Sequence, residues 1–304
     1  AFQRYANRLV VAGGRSDSGE LRDAYMIQLG DTLDAEIIPL PSLPEPRSGM
    51  ASALIGDVLY LIGGRVNGKL SNTVLSIDLS RPSRGWREEM PYPHSPFLKL
   101  VSTTNKIRVW RSGDVPSLGI MASFTGVEEP NQRVKADVTY MTYTPKTKKW
   151  QIYKIAPDDP IAAHGFGGGY ASGNDASFSG GVRADLFVMA LQREKDLKAA
   201  KATGDHRLVK KLQAEQRAYL SHDPAWYGFC SDWYSFDRSG GRGEAKSGFH
   251  FDGRADAVYL DRCSSMMDGM LIGGETMPGI RTPMIIFFKN DCTPQRYEVI
   301  PPAK

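Results

Sequence analysis

Cysteine is scarce, with only Cys230, Cys263 and Cys292 in 304 residues. Three thiols cannot build a disulfide scaffold, and no two stand at Cys-x-x-Cys spacing. One bridge with one free thiol remains possible on paper and leaves the redox compartment open. Long hydrophobic runs are lacking too. Apolar stretches such as Met284 to Phe288 fall far short of the roughly 20 residues a helix needs to cross a bilayer. No secretory h-region opens the chain, and no membrane partner is expected. Excess charge of one sign is also missing: 38 Lys and Arg face 34 Asp and Glu, for a net +4. A nucleic-acid-binding domain would show a clustered basic surplus, so no nucleic acid is expected. The balance suits a small anionic ligand. Histidine occurs five times, with no His-Glu-x-x-His and no EF-hand pattern. Gly165-Phe166-Gly167-Gly168-Gly169-Tyr170 lacks the Lys-Ser/Thr and the strand-to-helix context of a phosphate loop. Neither a metal nor a cofactor is expected.

What the chain does have is a repeat. Leu9-Val10-Val11-Ala12-Gly13-Gly14-Arg15 recurs as Leu59-Tyr60-Leu61-Ile62-Gly63-Gly64-Arg65 and again as Met270-Leu271-Ile272-Gly273-Gly274-Glu275. The first two glycine pairs lie about 50 residues apart, the period of kelch repeats. Degenerate copies read as Lys106 to Gly113 and Ala176 to Gly181. Pro46-Arg47-Ser48-Gly49 and the turn Gly56-Asp57 precede the second copy, and Thr73 to Asp78 follows it, with Trp86 closing a fourth strand. Asp137 to Trp150 and Trp233 to Asp237 repeat that second half. Each unit thus holds four short strands, and one such sheet cannot bury both of its faces alone. Radial packing of several does so and leaves only short edges. The expected fold is all-β, a kelch-type β-propeller forming a single domain over residues 1–304. Five double-glycine-like positions are visible, and a sixth blade is expected in the stretched spacing between Gly113 and Gly180.

Residues 189–220 break the pattern. Strong helix formers without proline, split by Gly204, predict a helical hairpin inserted within a blade. Its reading is a solvated decoration or a lid, since long insertions of repeat proteins gather on the binding face.

Propeller loops converge on a central channel, so the residues after the glycine pairs are the candidates for chemistry. They are Arg15, Arg65, Arg183 and Glu275, with Arg111 before a degenerate pair. Guanidinium groups aimed at one axis hold a carboxylate by bidentate hydrogen bonds. A carboxylate among them serves as a base. Equally, arginines in these places brace neighbouring blades or hold an acidic peptide. His164 starts a strand near a blade mouth and is a weaker candidate for a sugar contact. His94, His206, His222 and His250 read as structural, and the aromatics from Trp226 to Tyr234 as core.

Gly274-Glu275-Thr276-Met277-Pro278-Gly279-Ile280-Arg281-Thr282 resembles a motif of the N-acetylneuraminate epimerase (sialic acid mutarotase) family: Gly-Glu, two residues, Pro-Gly, an aliphatic residue, Arg-Thr. The family's helical insertion in the preceding blade is similar in kind and place to 189–220. The resemblance implies a six-bladed propeller, with the catalytic carboxylate on Glu275 and its partner arginine on Arg281, there to hold the sugar's carboxylate or to stabilise developing negative charge. Arg15, Arg65, Arg183 and His164 are then substrate contacts. It implies anomer exchange of a small acidic sugar, sialic acid, with no cofactor, and a periplasmic or secreted setting for a chain that starts at Ala1. Enterobacterial members carry more blades after this motif, whereas about twenty residues follow it here, so the blade order looks cyclically permuted. Two rivals stand beside this reading: a kelch interaction module that binds an acidic peptide or glycan, and a copper oxidase of the galactose oxidase type. The five histidines show no pairing that favours the latter.

Overall fold

The computed structural model describes residues 1–30, 34–109, 113–129, 131–155, 162, 168–172, 175–179, 181–229, 232–237, 244–250, 265–267, 270–272, 275–281, 284–288 and 294–298. Among them are five four-stranded sheets, each a meander in which strands follow one another in chain order. The first is Phe2–Tyr5, Arg8–Ala12, Ala24–Leu29 and Ala35–Pro39. The second is Ala51–Ile55, Val58–Ile62, Val74–Asp78 and Arg87–Glu89. The third is Lys99–Val109, Gly113–Ser123, Thr139–Thr144 and Lys149–Lys154. The fourth is Gly168–Ser172, Asp175–Ser179, Asp232–Asp237 and Glu244–His250. The fifth is Ser265–Met267, Met270–Ile272, Met284–Phe288 and Pro294–Glu298.

Two compact units result: Ala1–Ser123 with Thr139–Tyr153 and Ala171–Asn174, and Phe124–Val138 with Lys154–Tyr170 and Asp175–Lys304. In the first unit the second sheet is buried on both faces. Leu59, Leu61, Leu75 and Ile77 meet Val10, Ala12, Ala24 and Met26 of the first sheet. Tyr60, Ile62 and Val74 meet Leu118, Ile120, Met141 and Tyr143 of the third. Side chains alternate between faces along a strand, so a strand covered on both sides reads as the unbroken run Leu59-Tyr60-Leu61-Ile62. Each such fully buried aliphatic side chain contributes about 1.5–3 kcal/mol.

The glycine pairs have a steric cause. Gly13 has φ +59°, and a Cβ there would lie 2.4 Å from the Arg47 carbonyl oxygen. Gly64 has φ +85°, and its Cβ would lie 2.4 Å from the Ser48 oxygen. Only glycine allows both the left-handed backbone and this approach. Arg47 itself is buried. Its Nη1 donates to the carbonyls of Gly63 (3.0 Å) and Thr73 (3.3 Å), and its Nη2 to the Thr73 hydroxyl (2.7 Å). It thereby ties the end of one strand to the approach of the next. Trp86 and Trp150 act alike. Their indole N–H groups donate to the carbonyls of Pro41 (2.7 Å) and Met90 (2.9 Å), each just past the outer strand of the preceding sheet. Trp86 stands before its strand, Arg87–Glu89, rather than closing it.

Three further sequence expectations are corrected. Lys106 to Val109 is not a degenerate strand end but part of the strand Lys99–Val109, which pairs residue for residue with Ser123 to Gly113. The true counterpart of Gly13 and Gly63 is Phe124, with φ +66°. Among the described residues, the stretch from Gly113 to Gly180 holds strands of the third and fourth sheets and no further sheet. The connection 124–138 accounts for part of its length. Finally, the helices begin at Ala184, ahead of the expected 189. Helix α1 is Ala184–Ala202 and α2 is His206–Tyr219. Leu186, Phe187 and Val188 look like strand residues, yet they pack as the first turns of α1. Gly204 (φ +71°) ends α1, and the Asp205 carboxylate caps α2 by accepting from the Leu208 N–H at 2.9 Å.

Candidate functional site

In every sheet the segment between the second and third strands leaves the meander. In the first, second and fifth it is a short hairpin: Arg15–Ser16 with Gly19–Glu20, Arg65–Val66 with Lys69–Leu70, and Glu275–Met277 with Ile280–Arg281. In the third it is the connection 124–138, and in the fourth it is α1 and α2. All the candidate residues that follow glycine pairs stand at the start of these segments.

Within the second unit three such segments pack together. Phe124 meets Phe187 of α1 edge to face, with ring centroids 4.8 Å apart. The Val134 N–H donates to Gln192 Oε1 at 3.0 Å. Lys195 Nζ donates to the carbonyls of Gly126, Glu129 and Gln132. This fixes α1 on one side. Its adjoining face, with α2 and the fifth-sheet hairpin, encloses a cavity of about 160 Å³.

Glu275 lines that cavity and is only 8% exposed. Pro278-Gly279, with Gly279 at φ +80°, turns its hairpin and sets Arg281 directly across the ladder from it. The other walls include Leu186, Ala190 and Arg193 of α1, Tyr219 at the end of α2, and Tyr227. The Tyr227 hydroxyl donates to the Tyr219 carbonyl at 2.7 Å, which satisfies an orphan acceptor of α2. Burial, reinforced by Tyr227 and opposed by Arg193, pushes the Tyr219 phenol above its ordinary value, and the Glu275 carboxylate adds to the rise. Tyr219 therefore stays a neutral hydroxyl at physiological pH.

Glu275 and Arg183 share the cavity. Arg183 is bound to Asp185 as a fork, Nε to Oδ1 at 3.1 Å and Nη2 to Oδ2 at 2.5 Å. These hydrogen bonds hold its pKa above the usual value. Arg15 and Arg65 belong to the first unit. Arg15 is exposed and pairs across its hairpin with Glu20, and its side chain makes no hydrogen bond or ion pair among the described residues. Arg65 stands opposite Leu70 and donates to the Gly68 carbonyl at 3.2 Å. His164, Arg111 and the side chain of Arg281 lie outside the described residues. Among the other histidines, His94 stacks on Phe97 at 4.4 Å and His222 on Trp226 at 3.7 Å. Among the described residues no group of three His, Cys, Asp or Glu side chains is placed to hold a metal ion, and no helix is long and apolar enough to cross a membrane.

The sequence reading missed Arg193, Tyr219 and Tyr227. A signal for Arg193 exists: Leu186, Ala190 and Arg193 follow i, i+4, i+7, so the arginine continues the inward stripe of α1.

Fold and repeat together define a kelch-type β-propeller. A kelch motif matches residues 46–83, which cover the second sheet up to its outer strand. A solved structure of YjhT superposes with a TM-score of 0.63 at 17% identity, over 87% of this chain and 69% of that one. Among curated proteins the chain is similar to the N-acetylneuraminate epimerase of Haemophilus influenzae, 24% identical over 251 residues, 83% of this chain and 59% of the relative. The N-acetylneuraminate epimerase of Brucella melitensis is 24% identical over 261 residues, 80% of this chain and 57% of the relative. Alpha-scruin of Limulus polyphemus is 28% identical over 130 residues, 40% of this chain and 14% of the relative. The chain thus spans less than three-fifths of the length of the epimerases it matches.

Proposed function

We propose that the chain is a sialic acid mutarotase-type isomerase that exchanges the α and β anomers of N-acetylneuraminate. The observation that carries this is the buried Glu275 carboxylate in a cavity with arginine on its walls. The names of the epimerase relatives supply the substrate. Anomer exchange needs a base at the anomeric hydroxyl and a proton for the ring oxygen. Glu275 takes the hydroxyl proton as the bond between the anomeric carbon and the ring oxygen breaks and a carbonyl forms. The ring oxygen leaves as a hydroxyl, protonated by a neighbouring acid, a part for which the neutral Tyr219 is suited. Rotation and reclosure on the other face regenerate the ring, and Glu275 returns its proton. Arg281 steadies negative charge that develops beside Glu275. Arg15, Arg65 and Arg183 rank below these as substrate contacts, and Arg183 is already taken by Asp185.

The cavity, about 160 Å³, lies below the roughly 300–1,000 Å³ of sites that enclose drug-sized ligands. It receives one end of a small molecule and suits an acidic peptide poorly. The test follows freshly released α-anomer by NMR. The unmutated protein is expected to speed equilibration and Glu275→Gln to lose at least about 100-fold of that acceleration, the lower end of what a positioned acid or base supplies. Equal rates with and without the substitution would remove Glu275 from the reaction. A thermal shift with acidic peptides but none with the sugar would favour the interaction module.

A further inference from the structure

We infer that Arg193, supplied by the inserted helix α1, is the anchor for the substrate's carboxylate; this rests on the acidic-sugar reading above. Two guanidinium groups line the cavity among the described side chains, and they differ in what they already hold. The side chain of Arg183 is 46% exposed, and Asp185 occupies it through two hydrogen bonds. That of Arg193 is only 14% exposed. It forms one long ion pair, with the half-exposed Glu215, Nε to Oε2 at 3.8 Å, beyond hydrogen-bond distance. Among the described residues its guanidinium donates no hydrogen bond. What positions it is the Tyr219 ring, over which its Cζ lies 5.4 Å from the centroid.

A largely buried guanidinium whose five N–H donors meet no hydrogen-bond acceptor, and whose one ion pair is long, is costly until an anion arrives to take up its fork. The planar fork matches a carboxylate, and stacking on an aromatic ring fixes its plane before the ligand enters. Glu275 lines the same cavity, so an acid bound at Arg193 keeps the rest of the sugar on the side of the base. The insertion is then part of the binding site rather than a decoration of the blade.

The test is calorimetric titration with N-acetylneuraminate and with its methyl ester, which removes the charge and keeps the ring. The unmutated protein is expected to prefer the acid by at least about tenfold. Arg193→Met is expected to abolish that preference by weakening the acid alone. Arg193→Lys, which keeps the charge and loses the fork, is expected to restore part of it while holding the melting temperature of the unmutated protein. An unchanged acid-to-ester ratio in both variants, or no preference in the unmutated protein, overturns the assignment. The two readings separate cleanly. Acid preference lost in Arg193→Met without any acceleration of anomer exchange keeps the anchor and sinks the mutarotase. Acceleration that depends on Glu275, with the preference untouched by Arg193→Met, does the reverse.

Discussion

Phe124 holds a backbone conformation, φ +66°, that the first two sheets reserve for Gly13 and Gly63. An L-residue pays about 1–2 kcal/mol there. The return is a fully buried ring that meets Phe187 and seats α1. Phe124→Ala is expected to destabilise by about 3–5 kcal/mol, as buried Phe truncations do. Phe124→Gly should be no worse than Phe124→Ala, because glycine fits the left-handed position. Elsewhere in a strand or helix Gly loses to Ala by about 0.5–1 kcal/mol, and denaturant titration finding that usual order here would show that φ is not what matters. The same residue explains why the third repeat was hard to read. A double glycine marks the end of a second strand, whereas Phe-Thr does not, and Ser112-Gly113 nearby imitates the mark. Glu275 was legible because its glycine pair survives in sequence. Arg193 was not, since within a run of lysines and glutamates its charge looks like a wet surface until Tyr219 is seen beneath it.

At the scale of elements, α1 carries two interfaces. One stripe faces the cavity, and Phe187, Gln192 and Lys195 grip the connection 124–138. Lys195 gathers three carbonyls that the tight loop presents, and hydrogen bonds to a charged group contribute about 1.5–3 kcal/mol. Lys195→Met, similar in length and without charge, is expected to lower stability by about that amount. Hydrogen exchange should quicken in residues 126–135 and in α1 while the core strands of the first two sheets stay protected. Uniform loss of protection would mean that Lys195 supports the whole fold rather than this one joint. The meanders themselves were readable from period and turn residues. The helical insertion was readable from composition, but its start was not, because the first turn of α1 is as apolar as a strand.

For the whole molecule, the kelch-type β-propeller places its variable chemistry in one kind of segment, the link between second and third strands. A hairpin, a loop and a helical pair fill the same slot in different sheets. Repetition explains why the fold could be read so far from sequence and the site only in part. Strand pattern is imposed by burial in every repeat, while each link is free to differ. The most direct measurement for the account is a crystal structure with N-acetylneuraminate bound. The sugar is expected in the cavity of α1, α2 and the Glu275 hairpin, with its anomeric oxygen about 2.6–3.2 Å from the Glu275 carboxylate. A sugar seated elsewhere, or one held there with its anomeric centre turned away from Glu275, would contradict it.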